Sequence, residues 1–396
     1  MGKQEAISFI TRQKAVFVTG QGGFMKNSKL RKKREIIVNT GWRWKLVFTA
    51  VCLAAAVILQ LCARKIAGFS VFYAGYVYPL WVNTVGRLMS LFPVSVSEIL
   101  LYAGIVVLML GIVKIVWFRK GHRAACIGSG ILSLFAAASF LFVIYTLNCG
   151  INYYNEPFSK CEGFEIKERP VDELKALCEK LTEQVNTYSS QVLRNKKGLC
   201  CLDHNVGGRA VEAMQATGQI YPSLSGYYPY PKPLIVSQIL SVQQLSGIYS
   251  PFTVEANYNR HMTAYNIPFT ACHELSHLKG FMREDEANFI AWLACMASDD
   301  ADFKYSGALL GWIYATNALC KVNPDMYNAV VAGLSDEVWA DLKANTAFWD
   351  RYEGKIAEVS DKVNDTYLKA NDQSDGVQSY SRMVDLMLAY YEKTEQ

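Results

Sequence analysis

A chain of 396 residues is long enough for two or three domains, and an apolar fraction of 51% is high for an entirely soluble protein. The apolar excess sits in roughly the first 150 residues, while the remainder is an ordinary mixed sequence large enough to bury its own core. The formal charge of +5 does not argue for a nucleic-acid partner, because the basic residues gather ahead of the first apolar run, at Lys29, Arg31, Lys32, Lys33 and Arg34. A cluster in that place is a membrane-topology signal, and no aromatic nucleic-acid motif follows it.

Residues 1–24 carry no apolar span, and Met25 opens MKNSKLRKKR, which reads as a bacterial leader to a first membrane helix; translation from Met25 in place of Met1 is the expectation. Residues 1–43 are then a basic cytoplasmic N-terminus, and 44–147 a membrane domain in contact with the lipid bilayer. Apolar stretches at 44–62, 99–118, with Lys114 near its end where it can snorkel to the headgroups, and 124–147 predict three transmembrane helices, each long enough at about 1.5 Å per residue to cross a core of about 30 Å. The first lies too deep in the chain and lacks the small-residue cleavage site of a signal peptide. Between the first two, residues 66–96 are apolar but broken by Pro79, Asn83, Arg87 and Pro93, which a lipid-facing span tolerates badly. Trp81, Val85, Leu88, Met89 and Phe92 recur there at helical spacing, predicting a helix lying along the outer membrane surface. Arg119, Lys120 and Arg123 fill the loop between the second and third spans. Two basic cytoplasmic segments and three spans predict that residues 148–396 are extracytoplasmic.

Eight of the eleven cysteines lie in or just before that domain. Cys149, Cys161, Cys200 and Cys201 are available for bridges outside the cell, whereas Cys272, Cys295 and Cys320 sit within helical patterns and equally suit small buried apolar positions. The domain has no internal repeats. Residues 170–183 read as an amphipathic helix, 221–233 as a surface loop rich in Tyr, Pro, Gly and Ser, and 252–258 (FTVEANY) as a short strand.

The informative motif follows that strand: His273, Glu274, Leu275, Ser276, His277, on a helix started by Asn266 and Pro268 and stopped by Gly280. Residues four apart share a helix face, so the two imidazoles can meet one zinc ion with Glu274 beside the open position as general base. With five histidines in the chain, chance produces this pattern in roughly 0.3% of shuffled sequences. Zinc polarises a scissile carbonyl and acidifies water, while the glutamate moves the proton to the leaving amine.

A third ligand is sought on the next helix, expected from about Arg283 to Ser298. In glutamate-liganded zincins it is a Glu, with an Asp or Asn four residues on that orients a bound imidazole; Glu284 and Asn288 have that spacing. Glu286 is the alternative ligand if the helix begins later, since it otherwise points about 160° away. Gly280 also matches the metzincin extension, but Arg283 stands at its third-ligand position and cannot coordinate, so that class is set aside.

The segments 92–100 (FPVSVSEIL), 273–295 (HELSHLKGFMREDEANFIAWLAC) and 379–391 (SYSRMVDLMLAYY) resemble a family of bacterial membrane proteins classed as domain of unknown function 3810, over most of residues 40–390. The resemblance implies a few N-terminal spans before a gluzincin-like peptidase fold, and no established substrate. The connection from His277 to Glu284 is much shorter than in familiar glutamate zincins.

Three weaker candidates remain. His261 is either an oxyanion donor or an exposed loop residue, His204 lacks a matching set for a second metal, and Tyr305 is either a transition-state donor or structural. The sequence thus predicts a mainly α protein: about three transmembrane helices, then an α+β zincin-like (gluzincin-type) domain. The activity it points to is a zinc-dependent metalloendopeptidase acting on peptide or protein substrates at the outer membrane face. A sensor or transducer, or an inactive scaffold that keeps its zinc, is the alternative. No feature of the sequence speaks to oligomeric state.

Overall fold

Among the described residues, three helices are long and apolar enough to cross a membrane, at Gly41–Lys65, Val96–Lys114 and Cys126–Tyr154. They lie within a few residues of the expected positions, except that the third continues further, through a π turn at Thr146–Gly150 and a 3-10 turn at Asn152–Tyr154. The structure, a computed structural model, describes residues 41–117, 123–203, 205–371, 373 and 382–395. Met25, the basic run from Lys29 to Arg34, Arg119, Lys120 and His204 lie outside the described residues. Helix α1 is Gly41–Lys65, α2 comprises residues 69–89, α3 is Val96–Trp117 and α4 is Arg123–Tyr145.

Two compact units divide the chain, residues 1–56 with 108–143 and residues 57–107 with 144–396. In the first, Lys45 Nζ reaches Ser129 Oγ at 3.0 Å and Ser133 Oγ at 2.7 Å, tying α1 to α4 by a cation held on hydroxyls. The second unit is larger than the expected domain at 148–396, because it also takes in the end of α1, all of α2 and the start of α3.

That difference arises in α2. Expected on the membrane surface, it packs one face into the second unit's core, where Tyr73, Tyr78 and Val82 are buried and Trp81 and Val85 lie against them. Its other face leaves Phe72, Tyr76, Leu80 and Leu88 exposed. The polar interruptions serve the helix itself. Pro79 lacks an N–H, π turns at Tyr73–Val77 and Val82–Gly86 widen the coil on either side of it, and Asn83 and Thr84 take up the Pro79 and Leu80 carbonyls at 2.8 and 2.6 Å. Arg87 stacks 3.9 Å over the Tyr227 ring.

Among the described residues, the remaining helices of eight residues or more are α5 Val171–Ser189, α6 Val206–Ile220, α7 Asn266–Leu278, α8 Glu284–Ala297, α9 Ala301–Val322, α10 Pro324–Val331, α11 Asp336–Trp349, α12 Lys355–Ala370 and α13 Met383–Glu395. Helix α5 runs six residues past the expected end, since Leu177, Leu181 and Val185 continue one apolar stripe against α9. Trp312 Nε1 on α9 donates to Thr182 Oγ1 at 2.9 Å across that contact. Helices α7, α8 and α9 pack on one another, and α12 brings Tyr367 Oη to Tyr153 Oη at 3.2 Å and Cys149 Sγ at 3.4 Å.

A three-stranded sheet completes the unit, with β1 (Lys232–Pro233), β2 (Gly247–Ser250) and β3 (Glu255–Tyr258) in the order β1-β3-β2. The strand expected over 252–258 is therefore central, parallel to β1 and antiparallel to β2, and the edge beside α7 belongs to β2. The expected surface loop at 221–233 ends as β1 and buries Leu224 and Tyr228, whose hydroxyl satisfies the Leu224 carbonyl at 2.6 Å. All eleven cysteines are free: Cys149 lies against Met282 Sδ at 3.7 Å, and Cys272 and Cys295 are buried.

Two carboxylates join the sheet to the start of α3. Glu255 accepts from Val96 N at 3.1 Å, Ser97 N at 2.9 Å and Lys232 Nζ at 2.6 Å, and Glu98 accepts from Ile235 N and Val236 N at 2.7 and 2.8 Å. The Lys232 and Glu255 side chains are almost wholly buried, so removing one charge strands the other. Glu255→Ala should cost about 3–5 kcal/mol of stability. Thermal unfolding of the detergent-solubilised protein measures this, and a loss below about 1 kcal/mol would refute the pairing as an anchor.

Candidate metal centre

Helix α7 stops in a way that sets one of its histidines. Gly280 has φ +104°, a left-handed conformation that glycine adopts freely, and its N–H bonds His277 O while Phe281 N–H bonds Ser276 O. This C-terminal turn folds the Phe281 carbonyl under the His277 ring, 2.9 Å from Nδ1. A carbonyl only accepts, so Nδ1 carries a proton and Nε2 is the ring nitrogen left to face Glu284.

The first residue of α8 meets that nitrogen. Glu284 Oε2 lies 3.3 Å from His273 Nε2 and 3.7 Å from His277 Nε2, and one ligand atom from each of the three residues lies within 4.8 Å of the others. Ligands about 2.0–2.2 Å from a tetrahedral ion stand about 3.4 Å apart, so two nitrogens and one oxygen at this spacing suit zinc. Glu284 N–H is itself held by Gln373 Oε1 at 3.3 Å. Asn288, one turn along α8, is close enough to His273 and Tyr314 to favour the charged form of each. His273 Nδ1 and Asn288 Nδ2 are nonetheless buried without a hydrogen bond.

Glu274 is buried beside the cluster and its Oε2 has no partner. On its other side, a Cβ at Gly247 of β2 would stand 2.4 Å from Glu274 Oε1 and 2.8 Å from Thr270 Cγ2. Only glycine lets the edge strand approach the carboxylate this closely.

The charges are strongly coupled. Burial pushes the Glu274 carboxyl up to about 8, against the pull of His277. Burial also disfavours ionised Glu284, but the His277 and His273 imidazoles overcome it and hold that carboxyl well below the usual range. Burial would lower His277, yet Glu284 raises it to about 9; His273 stays below its ordinary value through burial and the second imidazole. Without a metal, the site near neutrality is a His277 imidazolium paired with Glu284 carboxylate beside a protonated Glu274.

The structure thus brings His273, Glu274, His277, Glu284 and Asn288 together and places the other sequence candidates elsewhere. Glu286 accepts from Phe158 N at 2.8 Å, Ser159 N at 3.2 Å and Ser159 Oγ at 3.0 Å, capping a short helix on the far side of α8. Tyr305 donates to Asp341 at 2.6 Å in a buried cluster with Arg194, and His261 is exposed on the turn after β3. Gly247, Gln373 and Tyr314 carry no signal in the sequence, whereas the Phe281 carbonyl is implied by the Gly280 stop.

A family model described as "Protein of unknown function (DUF3810)" matches residues 73–388, so the chain belongs to that family. No match to a curated protein or to a solved structure was found.

Two outcomes follow from this geometry. Because His277 is protonated up to about pH 9 in the metal-free site, loading a divalent ion at pH 7 should release at least one proton, and affinity should rise about tenfold or more per pH unit below that value. Calorimetry in buffers of different ionisation enthalpy reads the release, and binding without it would contradict the His277–Glu284 pairing. Gly247→Ala should displace Glu274 while leaving the three-ligand cluster able to hold metal; a crystal structure of the variant with Glu274 unmoved would refute the close approach.

Proposed function

We propose that this member of the DUF3810 family is a membrane-anchored, zinc-dependent metalloendopeptidase of the gluzincin type, with its site in an extracytoplasmic zincin-like domain. The observation that carries this reading is the convergence of His273, His277 and Glu284 within 4.8 Å, with Glu274 buried alongside and its Oε2 unpartnered. The three residues would hold zinc, which when bound supplies a Lewis acid that polarises the peptide carbonyl and acidifies water. Glu274 takes the proton of the attacking water on its carboxylate and delivers it to the leaving amine nitrogen. Its elevated pKa near 8 in the metal-free protein suits a group that must both take and give a proton. Asn288 steadies His273, and the Tyr314 hydroxyl, which feels the Glu284 charge and touches Asn288, is assigned as donor to the developing oxyanion.

An extended substrate pairs with the free edge of β2, in place of the central strand. The Ser246 carbonyl accepts from Asn259 N–H, which fixes the alternation of the ladder. Ile248 and Ser250 then bond to β3, and the backbone groups of Gly247 and Tyr249 point outward beside Glu274.

Glu274→Gln should retain zinc and lose about 10²–10⁴-fold or more of hydrolysis, whereas His273→Ala, His277→Ala and Glu284→Ala should lose both. Asn288→Ala should weaken zinc binding by about 10–100-fold. Metal analysis with proteolysis of the purified variants separates these roles. A cellular phenotype that survives Glu274→Gln but not His273→Ala would replace the peptidase with a zinc-bearing sensor or scaffold.

The basic segments at 29–34 and 119–123 support an inside N-terminus, and three spans then carry residues 148–396 outside. An alkaline phosphatase fusion after Lys160 should be active; an inactive fusion there, with a working cytoplasmic reporter, would reverse the topology.

A further inference from the structure

The edge strand that faces Glu274 ends at the roots of the membrane helices. From Gly247, beside Glu274, β2 runs three residues to Ser250, about 10 Å at about 3.3 Å per residue. Ser250 pairs with Glu255, whose carboxylate holds the Val96 and Ser97 N–H groups at the first turn of α3. Tyr249 Oη lies 2.9 Å from Tyr78 Oη of α2 and reaches the Asn148 carbonyl at 3.1 Å, while Asn148 Nδ2 donates to Pro251 O at 2.8 Å.

Lipid-type surface begins within a turn of those contacts. Along α3, Ile99, Leu100, Leu101, Ile105, Val106 and Val107 are all exposed. Ile248 and Phe252, on β2 and just beyond it, expose apolar side chains at 46% and 48%. An extended segment paired with β2 therefore leaves Glu274 and, within about three residues in the Ser250 direction, arrives where α3 enters the bilayer.

We propose that the site acts on the juxtamembrane stretch of polypeptides anchored in the same bilayer, cutting about three to six residues from the membrane surface; this rests on the peptidase reading above. A freely soluble globular substrate would have to thread its chain between the sheet edge and the headgroups. A segment already tethered there arrives extended, at high effective concentration, with its anchor on the side where the strand meets the membrane.

The test uses the full-length protein, loaded with zinc, in phosphatidylcholine–phosphatidylglycerol vesicles. The probe is a mixed-sequence fluorogenic peptide pool in three forms: free, joined directly to a palmitoyl chain, or joined to it through a twenty-residue Gly/Ser spacer with a reach of about 25 Å. Both N- and C-terminally acylated pools are used at equal surface density. The directly anchored peptides should be cut at least tenfold faster than the spaced ones, with mass spectrometry placing the cut three to six residues from the anchor. Equal or faster cleavage of the spaced or free peptides overturns the juxtamembrane assignment and leaves the peptidase standing. Cleavage of none by zinc-loaded wild type overturns both, and activity that persists in Glu274→Gln marks a contaminant and counts as none.

Discussion

A carboxylate withdrawn from water must find donors or positive charge, and buried glutamates fix how this chain is assembled. Glu98 and Glu255 collect backbone N–H groups from across the junction between α3 and the sheet, and Glu255 adds the Lys232 cation. Glu286 spends its oxygens on the amides of Phe158 and Ser159. Glu284, two residues earlier on the same helix turn, faces two imidazoles instead. The difference between a structural and a chemically available acid is thus one of partner type. An amide-capped carboxylate cannot be exchanged without unmaking a helix end, whereas one facing imidazole nitrogens is part of a donor set.

Glu274 stands apart from all four, since its Oε2 has no partner in a buried setting. An uncompensated group of this kind costs stability, and burial raises its pKa to about 8. Folded-state pKa above the unfolded value means that the carboxyl is tolerated while protonated and penalises the fold as pH rises toward 8. The fold accepts that penalty next to Gly247, where a side chain on the edge strand would have no room. Both features, an orphaned acid and a strand stripped to glycine beside it, belong to one close contact between α7 and β2.

Much of this was legible in the sequence because its signals are local. Apolar length defines the spans, the i,i+4 histidines define one face of α7, and Gly280 defines its end, from which the Phe281 contact to His277 follows. The 160° offset between Glu284 and Glu286 likewise decides which acid turns toward α7 once the helix start is known. What was not legible depends on contacts between distant segments. Periodicity marks residues 81–92 as a helix with one apolar face but does not say that Tyr78 will be buried in the domain core; that follows from the hydroxyl reaching Leu278 O, two hundred residues away. The pattern FTVEANY identifies a strand without giving its place in the sheet. Nothing local distinguishes Gly247 from other glycines, or Tyr314 from Tyr305, because each is defined by a partner contributed by α7 or α8.

The consequence of these distant contacts is that α2, the His277 turn and the strand beside Glu274 share one set of bonds. Tyr78 on α2 donates to the last carbonyl of α7 at 2.8 Å and its ring packs against Gly280, the residue whose turn presents Phe281 to His277. The same hydroxyl meets Tyr249 on β2, the strand that lies against Glu274. One side chain of α2 therefore supports both α7 and the edge strand. A shift of α2 cannot leave the His277 turn and the β2 edge unchanged, because interdigitated buried groups move as a unit. Separating residues 148–396 from α2 would thus remove part of the wall that positions the cluster. With α2 returned into the core between two helices long and apolar enough to cross a membrane, that wall and the adjoining ends of those helices belong to one unit.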